Sequence, residues 1–179
     1  MTVAVDLAHR VAVVTGGTRG IGLATAGALA LAGATVVLTG RDESAAKRSA
    51  AGLADSLSMS DGRITGVALD VTDDAAVGAV IRGVAREHGR LDVAVANAGM
   101  LEDGMIGMIR AESVDRVLAT NVAGTMHTVQ AAARAMMRHR RGSIVVLGSI
   151  VGRYGAAGQT VYAAAKAAVR RLIAPAGRV

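Results

Sequence analysis

VAVVTGGTRGIGLATAGALALA, residues 11–32, passes from a strand through a glycine-rich turn into a helix, and its reading decides the fold. Residues 11–15 are apolar almost throughout, the pattern of a strand covered on both faces. Gly16, Gly20 and Gly22 follow in a G-x-x-x-G-x-G spacing inside Thr15-Gly16-Gly17-Thr18-Arg19-Gly20-Ile21-Gly22. An Ala/Leu-rich helix is then expected from about Ile21 to Ala32, stopped by Gly33. Glycine in such a turn lets the backbone bend tightly and approach a pyrophosphate, whose charge the helix N-terminus stabilises. On a first strand-to-helix unit, the turn predicts dinucleotide binding.

The same alternation continues along the chain. Strands are expected at residues 35–39, 64–69, 91–96 and 143–147, and helices at about 43–58, 73–88 and 112–139, with Asn121 near the middle of the last. A short final helix is expected from near Gln159. The runs VAVV, TVVL, DVAVA and SIVVL are apolar at nearly every position, which predicts cover on both faces, and a helix intervenes between every pair. The expected fold is therefore α/β, a doubly wound, Rossmann-like parallel sheet in one domain over residues 1–179. Right-handed crossovers give the strand order 3-2-1-4-5, with ligands bound outside the carboxyl ends of the strands where the order reverses. No repeat, linker or second domain is visible, and Pro175 is the only proline.

Composition narrows the function. The 179 residues are 52% hydrophobic and 19% charged with no Cys, which excludes disorder, disulfide frameworks and Cys-ligated zinc. The net charge of +6 raises nucleic acid as a partner, but two Tyr with neither Phe nor Trp leave no stacking platform, and the basic residues are scattered apart from Arg138, Arg140 and Arg141. His9, His88, His127 and His139 lack metal-ligand spacing, so no metal is expected, and Met105, Met108, Met136 and Met137 read as core or loop fillers. The amino terminus MTVAVDLAHR has no targeting pattern, and no apolar run approaches the roughly 18 residues of a membrane span. A soluble, cytoplasmic protein is the expectation. Lys47 and Lys166 are the only lysines in a chain that otherwise uses Arg, which raises the question whether a site needs a compact, tunable ammonium.

Several residues at strand ends suit a cofactor. The second strand runs into Thr39-Gly40-Arg41, and Arg41, with Arg19 from the turn, suits a 2′-phosphate, pointing to NADP(H) over NAD. Asp42 and Glu43 just beyond leave a merely solvated Arg41 as the alternative reading. Asp70 and Val71 close the third strand, at a rim where a carboxylate would meet an adenine amino group, and Asn97-Ala98-Gly99 follows the fourth strand beside the expected switch point. After the fifth strand comes Ser149, then Tyr162 thirteen residues later and Lys166 four beyond that, on one face of a helix. A phenol titrates near 10, too high for acid-base work at neutral pH, and a neighbouring ammonium lowers it by stabilising the phenolate. The plain alternative is an exposed Lys on an Ala-rich helix.

TGGTRGIG at 15–22, NAG at 97–99, Asn121, Ser149 and YAAAK at 162–166, in that order over about residues 10–169, resemble the short-chain dehydrogenase/reductase family. RAMMRHRRGSIVVLGSIVG with GQTVYAAAKAAV is similar to the 3-oxoacyl-[acyl-carrier-protein] reductases within it. The resemblance implies NADPH-dependent reduction of a 3-oxoacyl thioester, carried on acyl carrier protein, in fatty-acid or polyketide-type synthesis. Another short-chain alcohol or ketone oxidoreductase, or a non-catalytic dinucleotide-binding protein, are the alternatives. It implies Tyr162 as the general acid, Ser149 as the group holding the carbonyl oxygen, and Lys166 as the contact to the nicotinamide ribose. Asn121, at a break in its helix, would position a water linking Lys166 to solvent. Gly16, Thr18, Arg19, Gly20, Ile21, Gly22, Arg41, Asp70, Val71, Asn97, Ala98 and Gly99, with Tyr162 and Lys166, would line the cofactor, Asp70 and Asn97 against its adenosine portion. Arg140 matches a basic position presented to the acidic carrier, although cations ending a helix also interact favourably with its dipole.

Family members, as the resemblance implies, continue for roughly another 60 to 70 residues, adding two strands to the doubly wound sheet. Those are not in this sequence, whose last ten residues read RRLIAPAGRV. The fifth strand is thus expected at an apolar edge that invites association, the homo-oligomer typical of the family is in doubt, and turnover is expected to be poor.

Overall fold

The computed structural model describes residues 5–60 and 62–176, with side chains of the last helix described as far as residue 172. Five strands, β1 (Val11–Val14), β2 (Thr35–Gly40), β3 (Ile64–Ala68), β4 (Val93–Ala96) and β5 (Ser143–Val146), form one parallel sheet in the order β3-β2-β1-β4-β5. Around it lie α1 (Gly20–Leu31), α2 (Glu43–Ser56), α3 (Asp74–Glu87), α4 (Ala111–Leu118), α5 (Gly124–Met137), α6 (Val151–Tyr154) and α7 (Thr160–Ala176). Fold class and strand order are as the sequence predicts. Among the described residues no helix is long and apolar enough to cross a membrane.

Alternation along β1 explains the two-sided core. Val11 and Val13 point into an apolar cluster with Val77, Ile81 and Val84 of α3 and Ala131, Ala132 and Met136 of α5. Ala12 and Val14 point the other way, to Ala26 and Ala30 of α1 and Ala46 and Ala50 of α2. The small side chains of α1 and α2 let both helices lie close to the sheet; Gly66 of β3 is pressed so tightly against the Ala46 backbone that no side chain fits there.

The helix ends follow local chemistry. Gly33, at φ +103, closes α1, with the Gly33 N–H bonded to the Ala30 carbonyl and the Ala34 N–H to the Leu29 carbonyl. Asp42 and Asp73 cap α2 and α3, accepting from the N–H groups of Ala45 and Ala76 at 2.5 and 3.0 Å.

Two expectations are corrected, one is refined, and one short helix is new. The helix expected over 112–139 breaks at Asn121, as the resemblance implies, and the break is a π-helical turn at Ala119–Ala123 between α4 and α5. The helix α6 has too little sequence, four residues, for a periodic signal. The last helix is not short, since α7 has 17 residues. And β5 is not covered on both faces: Ser143 and Val145 are exposed while Ile144 and Val146 are half-buried. Among the described residues only β4 pairs with it, so its place at an apolar edge is the one expected.

Candidate active site

The carboxyl ends of β1 and β4, between which the strand order reverses, carry the glycine-rich turn and Asn97. Asn97 ties the two together: its Nδ2 donates to the carbonyls of Thr15 and Gly16, both at 2.8 Å. Thr15, buried, completes the tie, its Oγ1 accepting from the N–H groups of Asn97 and Ala98 at 3.1 and 3.2 Å and donating to the Val95 carbonyl. Gly16 is in the left-handed region, φ +63, and a Cβ there would lie 2.8 Å from Ala98 Cα; at Gly22 a Cβ would collide with Asn97 Nδ2 and the Gly16 carbonyl. Both glycines are thus required by close approach. Gly20, φ +56, faces open space instead. Arg19 heads α1 without a side-chain cap, no acid lies in the first turn, and Arg19, Gly20 and Ile21 are exposed. That open helix start, with bare backbone around it, fits a pyrophosphate.

On the β2 side the turn is held by Ser49 of α2, whose Oγ donates to the Thr18 carbonyl at 3.0 Å. Gly40 leaves room for the Thr18 methyl. Arg41 is exposed at the end of β2, while Asp42 is engaged as the cap of α2 and Glu43 pairs with Lys47 at 2.6 Å. Neither Arg19 nor Arg41 forms an ion pair among the described residues. Asp70 accepts from the Thr72 N–H (2.9 Å) and hydroxyl (2.8 Å); these bonds, with the charge of Arg41 nearby, hold its carboxyl below the usual carboxylate range. Val71 beside it is buried.

The third group forms around Lys166. It is only 5% exposed, and its Nζ donates to the Leu147 carbonyl at 2.8 Å, just past β5 and two residues before Ser149. Nζ lies 5.8 Å from the centre of the Tyr162 ring. A Cβ on Gly99 would fall 3.8 Å from the same Nζ and 2.8 Å from Asn121 Oδ1. Asn121 is fully buried in the π-helical turn; its Nδ2 donates to the carbonyls of Met100 and Val117 at 2.8 and 3.0 Å, and its Oδ1 accepts from the Met100 N–H at 3.3 Å. Its carbonyl accepts the Thr125 hydroxyl at 2.7 Å. Ser149, half-buried, accepts from the Val151 N–H at 3.2 Å where α6 begins, and Gly152 of α6 packs against the Lys166 backbone. Burial pushes the Lys166 ammonium down from its ordinary pKa. The other lysine, Lys47, is an exposed partner of Glu43.

Residues 10–178 match the short chain dehydrogenase family model. The chain belongs to the short-chain dehydrogenase family. It is 39% identical over 164 residues to the 3-oxoacyl-[acyl-carrier-protein] reductase of Vibrio cholerae serotype O1, a match covering 92% of this chain and 64% of that protein. It is 38% identical over 158 residues to the Escherichia coli K12 protein of the same name, covering 88% and 62%. Among solved structures, one from Sinorhizobium meliloti 1021, described as a putative short-chain alcohol dehydrogenase, superposes with TM-score 0.87 at 33% identity over 94% of this chain and 66% of that one. The chain thus spans just under two thirds of the length of these relatives.

In this member of the short-chain dehydrogenase family the structure sets Lys166 beside Gly99 and over the Tyr162 ring, packs Gly99 against Asn121, and ties Asn97 to the glycine-rich turn. Arg140 lies apart, before the amino end of β5, where its left-handed backbone (φ +50) closes the turn after α5. Sequence reasoning passed over Thr15 and Ser49, which hold the turn through contacts 80 and 31 residues away in sequence. A polar residue ending an apolar strand was the available signal for Thr15; for Ser49 there was none.

Proposed function

We propose that this chain binds NADPH across the carboxyl ends of the strands and presents Ser149, Tyr162 and Lys166 to the carbonyl of a 3-oxoacyl thioester, reducing it to the 3-hydroxyacyl thioester. The bound nicotinamide supplies the hydride. The remaining steps belong to the protein. The first turn of α1 and the bare backbone at Gly20 receive the pyrophosphate. Arg19 and Arg41 receive the 2′-phosphate, a reading supported by the engagement of both neighbouring acids elsewhere. Asp70 and Val71 line the adenine. Ser149 Oγ holds the substrate oxygen, Tyr162 gives it a proton, and the Lys166 charge stabilises the phenolate left behind. Asn121 shapes the path by which Lys166 is resupplied with protons.

The observation that carries this reading is Lys166. In a chain with only one other lysine, this ammonium is buried beside Gly99 and over the Tyr162 ring with one hydrogen bond among the described residues, although burial penalises its charge. The carrier-linked substrate class rests on the reductase relatives and on exposed Arg138, Arg140 and Arg141, which form no ion pair among the described residues and suit an acidic carrier.

Titration with NADPH and NADH, followed by absorbance at the reduced-nicotinamide band on adding a 3-oxoacyl thioester, tests the proposal. NADPH should bind more tightly than NADH, and the thioester-dependent oxidation, slow as the sequence leads one to expect, should vanish in Tyr162→Phe with NADPH binding retained. No binding of either nucleotide, or turnover that survives Tyr162→Phe, would overturn it.

A further inference from the structure

His127 entered the sequence reading only as a histidine without metal spacing, and the proposed chemistry does not use it. It lies on α5, half-buried, with Nδ1 3.0 Å from the Val71 carbonyl, a contact spanning 56 residues. A carbonyl only accepts, so Nδ1 carries the proton and donates. One turn earlier on the same helix face, Gly124 meets the same residue: a Cβ there would lie 2.6 Å from Val71 Cγ2 and 3.1 Å from the Val71 carbonyl oxygen. α5 therefore grips Val71 twice, by a hydrogen bond and by a missing side chain.

The segment it grips is otherwise fixed from the sheet side. The Leu69 N–H bonds to the Gly40 carbonyl at 2.7 Å, and Asp70 is folded onto Thr72. The grip of α5 sets how far Val71 stands from the cleft above it. A packing role alone would be served by an apolar side chain; a ring nitrogen aimed at a carbonyl instead fixes the height and tilt of one peptide unit.

We infer that His127 is a positioning residue for the adenosine half of the cofactor, acting through the Val71 carbonyl. This rests on the reading that Asp70 and Val71 line the adenine. Because α5 follows directly on the turn that holds Asn121, one helix fixes both the adenosine end and the Lys166 end of the cleft.

The test is binding of 2′,5′-ADP, which carries the adenosine half alone, and of reduced nicotinamide mononucleotide, which lacks it, each measured by calorimetry on the full chain. His127→Leu should weaken 2′,5′-ADP roughly tenfold, the loss of about one hydrogen bond's worth of ordering, and leave the mononucleotide unchanged. His127→Asn should restore it, since the Asn Nδ2 stands one bond beyond Cγ as Nδ1 does. Gly124→Ala, which improves helix propensity while pushing on Val71, should act in the same direction as His127→Leu and serves if that variant does not fold. Unchanged 2′,5′-ADP affinity in the folded variants overturns the inference alone. So does equal weakening of both ligands without rescue by Asn, the mark of a general structural role. Failure of the unaltered chain to bind 2′,5′-ADP overturns both this inference and the cofactor reading.

Discussion

Two residues show how little latitude the cleft allows. Gly22 lies in the first turn of α1, where Ala would ordinarily gain up to about 1 kcal/mol of helix propensity. Here the added methyl strikes Asn97 Nδ2 and the Gly16 carbonyl, the groups that hold the turn, and overpacking costs roughly 1 to 3 kcal/mol. The collision wins: Gly22→Ala should destabilise by about 1 kcal/mol in urea unfolding, and NADPH binding should weaken more than stability does, because the turn itself is displaced. Lys166 is the opposite case, a residue whose burial costs stability. Its folded pKa is depressed by desolvation, so the folded chain gives up this proton at lower pH than the unfolded chain. Between the depressed value and the unfolded value near 10.4 the unfolded state binds more protons, and stability rises with pH; below that window the full burial penalty is present. Lys166→Met should therefore be at least as stable as the parent at pH 7, with the gap narrowing as pH rises through the window. A gap independent of pH would show that the buried ammonium carries no such penalty.

At the scale of elements, the amino ends of β1 and β4 are joined by charge. Asp92, buried, accepts from Arg90 Nε at 2.6 Å, from Arg10 at 3.1 Å and from the Val11 N–H at 3.0 Å. Burial pushes its carboxyl up, but the two arginines and the N–H outweigh that and hold it below the usual range. The stabilisation is present above the unfolded value near 3.9 and is lost as pH falls through the lower, folded value. Because both guanidinium groups are partly exposed, at 37% and 33%, Asp92→Asn should cost about 2 kcal/mol, less than a fully buried pair, and should flatten the acid limb of the stability profile. Nothing in the string Arg90-Leu91-Asp92 announces this cluster, since Arg10 reaches it only through the pairing of β1 with β4. The same limit separates what was legible from what was not. Sheet order, glycine-rich turn and the Tyr162–Lys166 spacing follow from local periodicity and from a face shared at four residues. The π-helical form of the break at Asn121 does not: the resemblance implies a break there, but two tertiary hydrogen bonds to Met100, 21 residues away, join the one to the Val117 carbonyl in holding that side chain inward. Thr15 and Ser49 escaped for the same reason.

For the whole molecule the sheet is asymmetric in what covers its edges. β3 lies under α2, with Gly66 against the Ala46 backbone, whereas among the described residues β5 pairs only with β4 and exposes 48% of Val145. A parallel edge strand presents alternate N–H and C=O groups outward, and with apolar side chains around them it is a template for another strand. The chain should self-associate through this edge at high concentration. A charge is the standard remedy at an edge: Val145→Lys keeps the strand's stem contacts through the lysine methylenes and places an ammonium in solvent. Since Val145 is already half exposed, stability should change by no more than about 0.5 kcal/mol. Light scattering across a concentration series should therefore show the parent growing in apparent mass and Val145→Lys holding constant, with Leu31→Lys, at an exposed apolar site on α1, which packs on β1 and β2, behaving as the parent does. Equal suppression by both lysines would assign the effect to net charge, and association unaltered by either would clear the β5 edge of any part in it.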